Sequence, residues 1–331
     1  MVHRAKAILR AHMRRVAASL AAVALALGLA ACGGDGAEPG ASTEATLVLD
    51  FTPNAVHAGI YAALEEGYFA DEGIDLEIQE PSASTDAPKL LQAGRADFAI
   101  MDVHDITLVI ERGAEIGAVV PIVSRPLASV IAGDRERIRR PRDLEGGTVG
   151  VTGLPSDEAV LDTVLEGDGA DPGSVERVTI GFDSVAALSA RRVDAATAFW
   201  NAEGVTLRQL GVPTREFRVD DFSAPEFPEL WVVTSNELAR SDPKLAAAVG
   251  DGLLRGYELA EREPGAALEA LLAAVDGLER EAQQAQLDAL LGADAFAPRI
   301  DDAGATRALI RWEVAHGILA GPIPVRRFDA G

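Results

Sequence analysis

The alternation of short apolar runs with longer amphipathic stretches is the feature that most restricts the fold of this chain. Short runs rich in Val, Ile, Leu and Ala predict buried strands, and the stretches between them have helical spacing. Strands and helices that alternate in this way are typical of α/β folds with largely parallel sheets. The predicted strands are 46–50, 74–79, 97–101, 116–123, 127–132, 148–151, 175–180 and 194–199. The predicted helices in the same part of the chain are 54–66, 86–93, 103–112, 156–166, 183–190 and 203–210.

Two apolar runs, 127–133 and 229–235, have the position of crossings between two lobes; the first contains the strand predicted at 127–132. The second run leads into a mostly helical tail, with helices predicted at 242–261, 264–275, 279–291 and 302–317. A lobe that contains both chain ends, with a second lobe inserted, is the arrangement of hinged binding proteins. Such a fold binds its ligand between the lobes, near the C-terminal ends of strands. The predicted lobes are 47–130 with 234–331, and 134–229.

The charge balance excludes several classes of partner. The chain has 30 Lys and Arg against 52 Asp and Glu, a formal net charge of −22. A nucleic-acid binder that neutralises phosphates needs a basic face, so that class is excluded. A polybasic membrane-surface protein is disfavoured for the same reason. Cys32 is the only cysteine, so the chain has neither a disulfide framework nor a cysteine zinc site.

The N-terminus has the composition of an export signal. Residues 1–15 are basic, and residues 16–30 form an apolar run. That run is shorter than the about 20 residues that span a bilayer, so it predicts a signal peptide over 1–31. The segment Leu-Ala-Ala-Cys that ends at Cys32 resembles the bacterial lipobox, which implies lipidation of Cys32. Residues 32–46 predict a flexible tether, so we expect an exported protein that is lipid-anchored to the outer face of the bacterial cell membrane.

The first part of the body resembles the opening of a known family. Residues 47–79 read LVLDFTPNAVHAGIYAALEEGYFADEGIDLEIQ, and similarity continues at 94–98, 124–129, 149–157 and 197–203. The family is the thiamine-pyrimidine-precursor group of periplasmic-type binding proteins. It includes the formylaminopyrimidine-binding proteins of bacterial ABC importers and the fungal thiamine pyrimidine synthases. The matching positions are Leu49, Asp50, Pro53, Asn54, His57, Tyr61, Ala63, Gly67, Tyr68, Phe69, Gly73 and Asp75, and Phe51 stands where the family usually has Trp.

The resemblance implies a fold and a function. The fold is a two-lobed periplasmic-binding-protein fold (type II), with hinged lobes, mostly parallel sheets and a helical C-terminal part. The function is that of a solute-binding lipoprotein of an ABC importer, with a permease in the membrane as partner and a monomeric state. The expected solute is a thiamine pyrimidine precursor, a hydroxymethyl- or formylamino-pyrimidine, or a similar aminated heterocycle. The wider group also contains alkanesulfonate, taurine and nitrate binders, so an anionic solute is the alternative.

A pyrimidine synthase-like enzyme is a less favoured alternative. The enzymes of the family carry a lysine for pyridoxal phosphate and a cluster of cysteines. The body of this chain has only Lys89 and Lys244, and neither lies in the matching motif. The chain also lacks the spacing of a serine triad, a phosphate loop or a metal-binding histidine pair. We therefore expect no catalytic residue, no cofactor and no metal site.

The ligand-binding candidates of the first lobe lie near the ends of two predicted strands. The resemblance implies that Asp50 and Phe51 hold the pyrimidine. A carboxylate accepts a hydrogen bond from an exocyclic amine, and an aromatic ring stacks on a flat heterocycle. Asn54 begins the following helix, and His57 lies one turn into it, where it either contacts the ligand or orients the loop. Asp102 and His104 follow the third predicted strand and are further contact candidates, not catalytic residues. For Asp50 and Phe51 the alternatives are an aspartate that caps the strand end and a phenylalanine of the core.

The candidates of the second lobe follow two more strands. Gly153 and Ser156 open a helix whose free N–H groups suit the acceptor atoms of a ligand. Trp200, Asn201 and Glu203 end a strand, and the resemblance implies that this acid binds the amino group of the pyrimidine. Two acids at one site disfavour an anionic solute, because the burial of like charges together is costly. Arg125 is either a ligand for an anion or, as we favour, a hinge residue tied to a carboxylate.

Overall fold

Two five-stranded sheets form the frame of the protein in a computed structural model that describes residues 42–81, 86–134, 136–296 and 303–328. The strands are β1 Thr43–Val48, β2 Ile74–Gln79, β3 Phe98–Asp102, β4 Ile116–Val123, β5 Ala128–Ala132, β6 Thr148–Val151, β7 Glu176–Thr179, β8 Ala195–Phe199, β9 Arg215–Arg218 and β10 Leu230–Ser235. The first sheet has the order β2-β1-β3-β10-β4, and the second has the order β7-β6-β8-β5-β9.

Helices connect the strands and form most of the C-terminal part. They are α1 Ala58–Glu65, α2 Tyr68–Asp71, α3 Asp86–Gln92, α4 Val103–Glu111, α5 Pro155–Gly167, α6 Ser184–Ser189, α7 Glu203–Gln209, α8 Asn236–Ser241, α9 Pro243–Arg262, α10 Pro264–Ala274, α11 Arg280–Gly292 and α12 Ala303–Ala315. Short 3₁₀ turns occupy Ala55–His57, Pro141–Leu144, Pro172–Ser174, Val219–Asp221 and Val325–Arg327. None of the helices described here is both long and apolar enough to cross a membrane.

The chain passes from one sheet to the other twice. It leaves the first sheet after β4, enters the second at β5, and returns at β10. The strand that follows each crossing is antiparallel to its neighbours. Strand β5 is antiparallel to β8 and β9, and β10 is antiparallel to β3 and β4. The sheets are therefore mixed rather than mostly parallel, while β1, β2 and β3 and also β6, β7 and β8 keep the expected parallel pairing.

Several predicted boundaries differ from the structure. The predicted tether ends at residue 46, but Thr43–Thr46 belong to β1 and pair with β2. The predicted lobe boundary at 130 falls inside β5, and all the pairing of that strand is within the second sheet. The exact lobe limits stay a prediction. The signal peptide 1–31 and Cys32 lie outside the described residues.

Helices α1 and α9 cross at glycines and thereby position the loop after β1. The α-carbon hydrogen of Gly256 faces the backbone of Gly59, and a Cβ at Gly256 would lie 2.1 Å from the Gly59 carbonyl oxygen. This close approach brings the Tyr257 ring against Gly59. The buried Tyr257 hydroxyl then donates a hydrogen bond to the carbonyl of Val56 at 2.9 Å. The turn Ala55–His57 is thus fixed to the tail of the protein.

Side chains tie the two crossings to one another. Arg125, in the segment between β4 and β5, forms an ion pair with Asp220, in the segment between β9 and β10, and also donates to the carbonyl of Ala293 at 2.9 Å. Glu229, just before β10, accepts a hydrogen bond from the backbone N–H of Leu127 at 2.8 Å. The ion pair of Arg125 with a carboxylate is present as expected, and its role as a hinge residue stays a prediction.

Candidate functional site

Asp50 lies two residues beyond β1, at the edge of the first sheet where the parallel strands β1 and β3 both end. Its Oδ1 accepts a hydrogen bond from Nε2 of His57 at 2.9 Å. The His57 side chain is fully buried, whereas the Asp50 side chain keeps 22% of its surface exposed. The carboxylate is therefore held by the protein on one side and remains accessible on the other.

Asn54 organises the turn that carries His57. Its side-chain oxygen accepts from the N–H of Val56 at 2.9 Å, and its own backbone N–H donates to Nδ1 of His57 at 3.1 Å. A ring nitrogen that accepts a hydrogen bond carries no proton, so this network assigns the His57 hydrogen to Nε2, which donates it to Asp50. The geometry fits a histidine that orients the loop after Asp50, one of the two roles expected for His57.

A buried phenol lies close to the Asp50 carboxylate. Burial and then the negative charge of Asp50 raise the pKa of Tyr257 well above its usual value, so the hydroxyl stays protonated. The same hydroxyl holds the carbonyl of Val56. The phenol therefore places no positive charge beside the Asp50 carboxylate.

Large apolar side chains are exposed after strands of both sheets. Phe51 follows β1 and is 53% exposed, Leu154 follows β6 and is 47% exposed, and Phe182 follows β7 and is 67% exposed. The Phe51 ring is thus accessible, and its contact with a ligand stays a prediction. Phe182 was not predicted, although an aromatic residue two positions after a predicted strand is a signal that sequence reasoning could have used.

Asn201 and Glu203 bring two acceptors to the end of β8. Glu203 is the first residue of α7, and its Oε2 accepts from the N–H of Phe199 at 3.0 Å. Burial raises the pKa of the Glu203 carboxyl. Asn201 is only 1% exposed, and its side-chain oxygen has no hydrogen-bond partner among the described residues. A buried acceptor without a donor costs about 1–3 kcal/mol, so a ligand N–H at this position would be favourable.

Trp200, predicted as a ligand-binding residue, is closed off from a ligand in this structure, which corrects that prediction. Its side chain is fully buried, and its indole N–H donates to the carbonyl of Pro126 at 3.0 Å. The guanidinium of Arg218 covers one face of the ring at 4.0 Å from its centre. The physical reason is that Trp200 fastens the end of β8 to the first crossing, where the apolar core of the first sheet encloses it.

Gly153 and Ser156 flank the start of α5. Gly153 has a φ of +93°, a left-handed conformation that favours glycine. The helix starts at Pro155 with Leu154 as its N-cap, so Ser156 is half-buried in the first turn and does not cap the helix. Asp157 instead stabilises this loop, because its Oδ2 accepts from the N–H of Thr152 at 3.0 Å and from the Thr197 hydroxyl at 2.8 Å.

Asp102 and His104 belong to a second, buried polar group at the end of β3. Asp102 caps α4, and its Oδ1 accepts from the backbone N–H of His104 at 2.7 Å. Nδ1 of His104 donates to Oε1 of Glu313 at 2.8 Å. His104 is 4% exposed and packs against Phe227 and Trp312, with ring centres 5.3 Å and 5.6 Å away. His104 is therefore closed off from a solute in this structure, in contrast to Asp50.

Glu229 completes this group, and its charge interacts with its neighbours. A ring nitrogen of His104 and one carboxylate oxygen each of Asp102 and Glu229 lie within 4.8 Å of one another. Burial alone would lower the pKa of His104, but the hydrogen bond to Glu313 and the negative charges of Asp102, Glu313 and Glu229 raise it to about 9. We call Asp102, His104, Glu229 and Glu313 the hinge cluster, because Glu229 also holds the first crossing through Leu127.

Sequence reasoning missed two members of the hinge cluster. Glu229 opens the apolar run of β10, and Glu313 lies on α12 between Trp312 and Val314. Both side chains are fully buried. The available signal was an acid at a position whose helical or strand periodicity is otherwise apolar, since a buried carboxylate needs partners.

Two recesses lie away from these strand ends. One, of about 480 Å³, lies between α1, β2 and α10 and includes Tyr61 and Ala270. The other, of about 250 Å³, lies between α5 and α12 and includes Thr163 and His316. Neither of these two is lined by a predicted ligand-binding residue, so the candidate site remains the strand ends that carry Asp50, Phe51, Asn201 and Glu203.

Comparison with known proteins gives related sequences over most of the chain. Residues 54–267 match the family described as NMT1/THI5 like. A formylaminopyrimidine-binding protein of Halalkalibacterium halodurans is 31% identical over 287 residues, which are 84% of this chain and 86% of that protein. A 4-amino-5-hydroxymethyl-2-methylpyrimidine phosphate synthase of Legionella pneumophila is 26% identical over 178 residues, 54% of this chain and 56% of that protein.

A solved structure has the same architecture at lower sequence identity. The periplasmic aliphatic sulphonate binding protein SsuA from Escherichia coli aligns with a TM-score of 0.70 and 14% identity, and the alignment covers 87% of this chain and 97% of that chain. At this identity the likeness concerns the fold alone. It confirms the predicted two-lobed periplasmic-binding-protein fold.

Proposed function

The chain belongs to the NMT1/THI5-like family, and from that membership we propose that it is the solute-binding protein of an ABC importer. The relative that is similar over 84% of the chain is a formylaminopyrimidine-binding protein. We extend this to the cargo: a thiamine pyrimidine precursor, either a hydroxymethyl- or a formylamino-pyrimidine, or a similar aminated heterocycle.

The observation that carries this proposal is the Asp50 carboxylate, which is oriented by His57 and followed by the exposed Phe51. His57 occupies one carboxylate oxygen, so the accessible part of the group is free to accept from an exocyclic amine. A charge-assisted hydrogen bond of this kind contributes about 1.5–3 kcal/mol. Phe51 offers an aromatic face for the flat ring.

The second half of the proposed site lies after β8. Glu203 and the unpartnered side-chain oxygen of Asn201 add two acceptors from the second sheet. An aminopyrimidine supplies donors for them, whereas a sulfonate or nitrate supplies only acceptors. Closure of the two lobes over the solute would bring these groups together, and the closed form would then engage the permease.

Calorimetry with the Asp50→Asn variant tests this function. We expect the parent to bind a hydroxymethyl- or formylamino-pyrimidine and the variant to bind it at least about tenfold more weakly, because 1.4 kcal/mol corresponds to one decade in affinity. Asp75→Asn is the matched control, since Asp75 is an exposed aspartate on β2. Its affinity is expected to equal that of the parent.

The same titrations distinguish the anionic alternative. Taurine, an alkanesulfonate and nitrate are measured beside the pyrimidines. An anion gains affinity when a repelling carboxylate is removed. Tighter sulfonate binding by Asp50→Asn would therefore identify the protein as the solute-binding protein of an alkanesulfonate, taurine or nitrate importer. Equal pyrimidine affinity in the parent and in Asp50→Asn would remove Asp50 from the site.

The remaining parts of the functional proposal concern location and chemistry. We propose export, lipidation at Cys32 and a monomer that meets the permease at the membrane surface. We propose a binding role without catalysis, although synthases occur among the relatives. Turnover of a pyridoxal phosphate and histidine substrate pair by the purified protein would contradict this part of the proposal.

A further inference from the structure

Three side chains of the hinge cluster lie close together, and the proposed solute site does not include them. One carboxylate oxygen each of Asp102 and Glu229 and a ring nitrogen of His104 lie within 4.8 Å of one another. Ligands that bind one tetrahedral zinc ion at about 2.0–2.2 Å lie about 3.3–3.6 Å apart. The three groups exceed that spacing by at most about 1.5 Å, a difference that side-chain shifts on metal binding would have to close.

Two buried polar atoms of these residues lack a partner in the described part of the chain. Nδ1 of His104 is engaged by Glu313, which leaves Nε2, and this nitrogen is buried without a hydrogen-bond partner. Oε1 of the fully buried Glu229 is also without one. A buried polar atom that makes no hydrogen bond is destabilising, and a bound cation would satisfy both atoms at once.

Asp102 keeps the cluster accessible to an ion. Its side chain is only partly buried, so the cluster is open to solvent on one side.

Glu313 supplies the outer support that metal-binding histidines usually have. It accepts from Nδ1 of His104 at 2.8 Å, and the Thr107 hydroxyl donates to the same oxygen at 2.8 Å. A carboxylate on the far nitrogen fixes the ring and directs the near nitrogen at the ion.

We propose that Asp102, Glu229 and Nε2 of His104 bind a divalent first-row transition-metal ion, with Glu313 as the positioning residue. One nitrogen with two carboxylates suits Zn²⁺, Mn²⁺ or Fe²⁺, whereas Ca²⁺ and Mg²⁺ prefer oxygen ligands alone. The ion takes the lone pair of Nε2, and any proton on that nitrogen leaves to solvent. The site lies at the second crossing and does not depend on the identity of the solute.

The test uses the untagged protein, treated with a chelator, cleared of it, and titrated with Zn²⁺ and separately with Mn²⁺ by calorimetry. We expect one ion per chain for at least one of the two metals and a rise in Tm on loading. Glu229→Gln and His104→Gln are each expected to weaken binding at least tenfold, and Glu313→Gln by about 10–100-fold. His316→Gln is the control, because His316 is a partly buried histidine outside the hinge cluster, bonded to Thr163 and Trp312.

The visible absorption of Co²⁺ bound at the same site distinguishes a positioning role of Glu313 from a purely structural one. We expect the visible bands of the bound Co²⁺ to be lost in His104→Gln, shifted in Glu313→Gln and unchanged in His316→Gln. If Glu229→Gln fails to fold by circular dichroism, Asp102→Asn replaces it. A parent that binds neither metal at micromolar concentration overturns the proposal. Binding that is unchanged in the folded His104 and Glu229 variants also overturns it, since the ion would then be elsewhere on the chain.

Discussion

At the scale of the residue, local sequence patterns predict the polar contacts after β1, whereas the contacts of His104 depend on the fold. Asp50, Asn54 and His57 lie within eight positions, so sequence spacing alone brought them together. His104 and Glu313 are 209 positions apart. The sequence around either residue contains no information on such a pair, because topology alone makes them neighbours.

The surroundings of Trp200 are a second feature that the local sequence does not determine. Its position after a strand favours a ring that faces the ligand. Its actual surroundings, the carbonyl of Pro126 and the guanidinium of Arg218, come from two separate segments at the crossings. A strand-end aromatic residue is thus predictable, whereas the direction of its ring is decided by packing.

Glu203→Gln is expected to change how stability depends on pH. Burial raises the pKa of Glu203 in the folded state above the usual 4.5, so the folded state holds this proton more tightly than the unfolded chain. The resulting stabilisation is complete below pH 4.5 and is lost as the pH rises through the folded-state pKa. The free energy of unfolding of the variant relative to the parent should therefore increase with pH over this window.

Urea unfolding of both proteins from pH 4 to pH 8 measures this difference. Glu77→Gln, at an exposed position of β2, is the control and is expected to change the free energy of unfolding by less than about 0.5 kcal/mol at each pH. A constant offset between Glu203→Gln and the parent across the range would contradict the expected burial effect.

At the scale of the element, the apolar pattern predicted most strands and helices, and the exceptions have physical reasons. Strand β9 was missed because its sequence, Arg-Glu-Phe-Arg, contains a single buried apolar residue, Phe217. It is an edge strand that pairs only with β5, so backbone hydrogen bonds rather than apolar burial define it. The start of β1 was missed for a similar reason, since Thr43 and Glu44 are exposed and polar.

Gly256→Ala is expected to destabilise the contact between α1 and α9. The added Cβ would lie 2.1 Å from the carbonyl oxygen of Gly59, which is backbone and cannot rotate away. Overpacking of this kind costs about 1–3 kcal/mol. Thermal or urea unfolding measures the loss.

Gly265→Ala is the matched control for this helix contact. Gly265 lies in the first turn of α10, and a Cβ there meets nothing within 4 Å. Alanine at such a position is expected to be neutral or to stabilise by up to about 1 kcal/mol. Equal stability of both glycine variants would show that the two helices can move apart without loss.

At the scale of the whole molecule, solute binding should draw the two sheets together. A saturating solute is expected to lower the radius of gyration in small-angle scattering, and to stabilise the fold by about 2.7 kcal/mol at a hundredfold excess over Kd. Scattering curves that superpose with and without a solute whose binding calorimetry has established would contradict hinge closure.

The proposed membrane anchoring depends on Cys32. Cys32→Ser is expected to remove fatty-acid incorporation and to release the protein from the membrane fraction, because the thiol is the proposed attachment point. Labelling of cells with radioactive palmitate, followed by fractionation, measures both. Label in the serine variant, or none in the parent, would contradict lipidation at Cys32.

The ties between the two crossings have a mechanical consequence. Arg125 joins the first crossing to Asp220, and Glu229 joins it again through the N–H of Leu127, so the two connecting segments are fastened to one another at two points. Displacement of one segment along or away from the other would break an ion pair or a buried hydrogen bond. We therefore expect the two segments to bend together as one hinge rather than as two independent linkers.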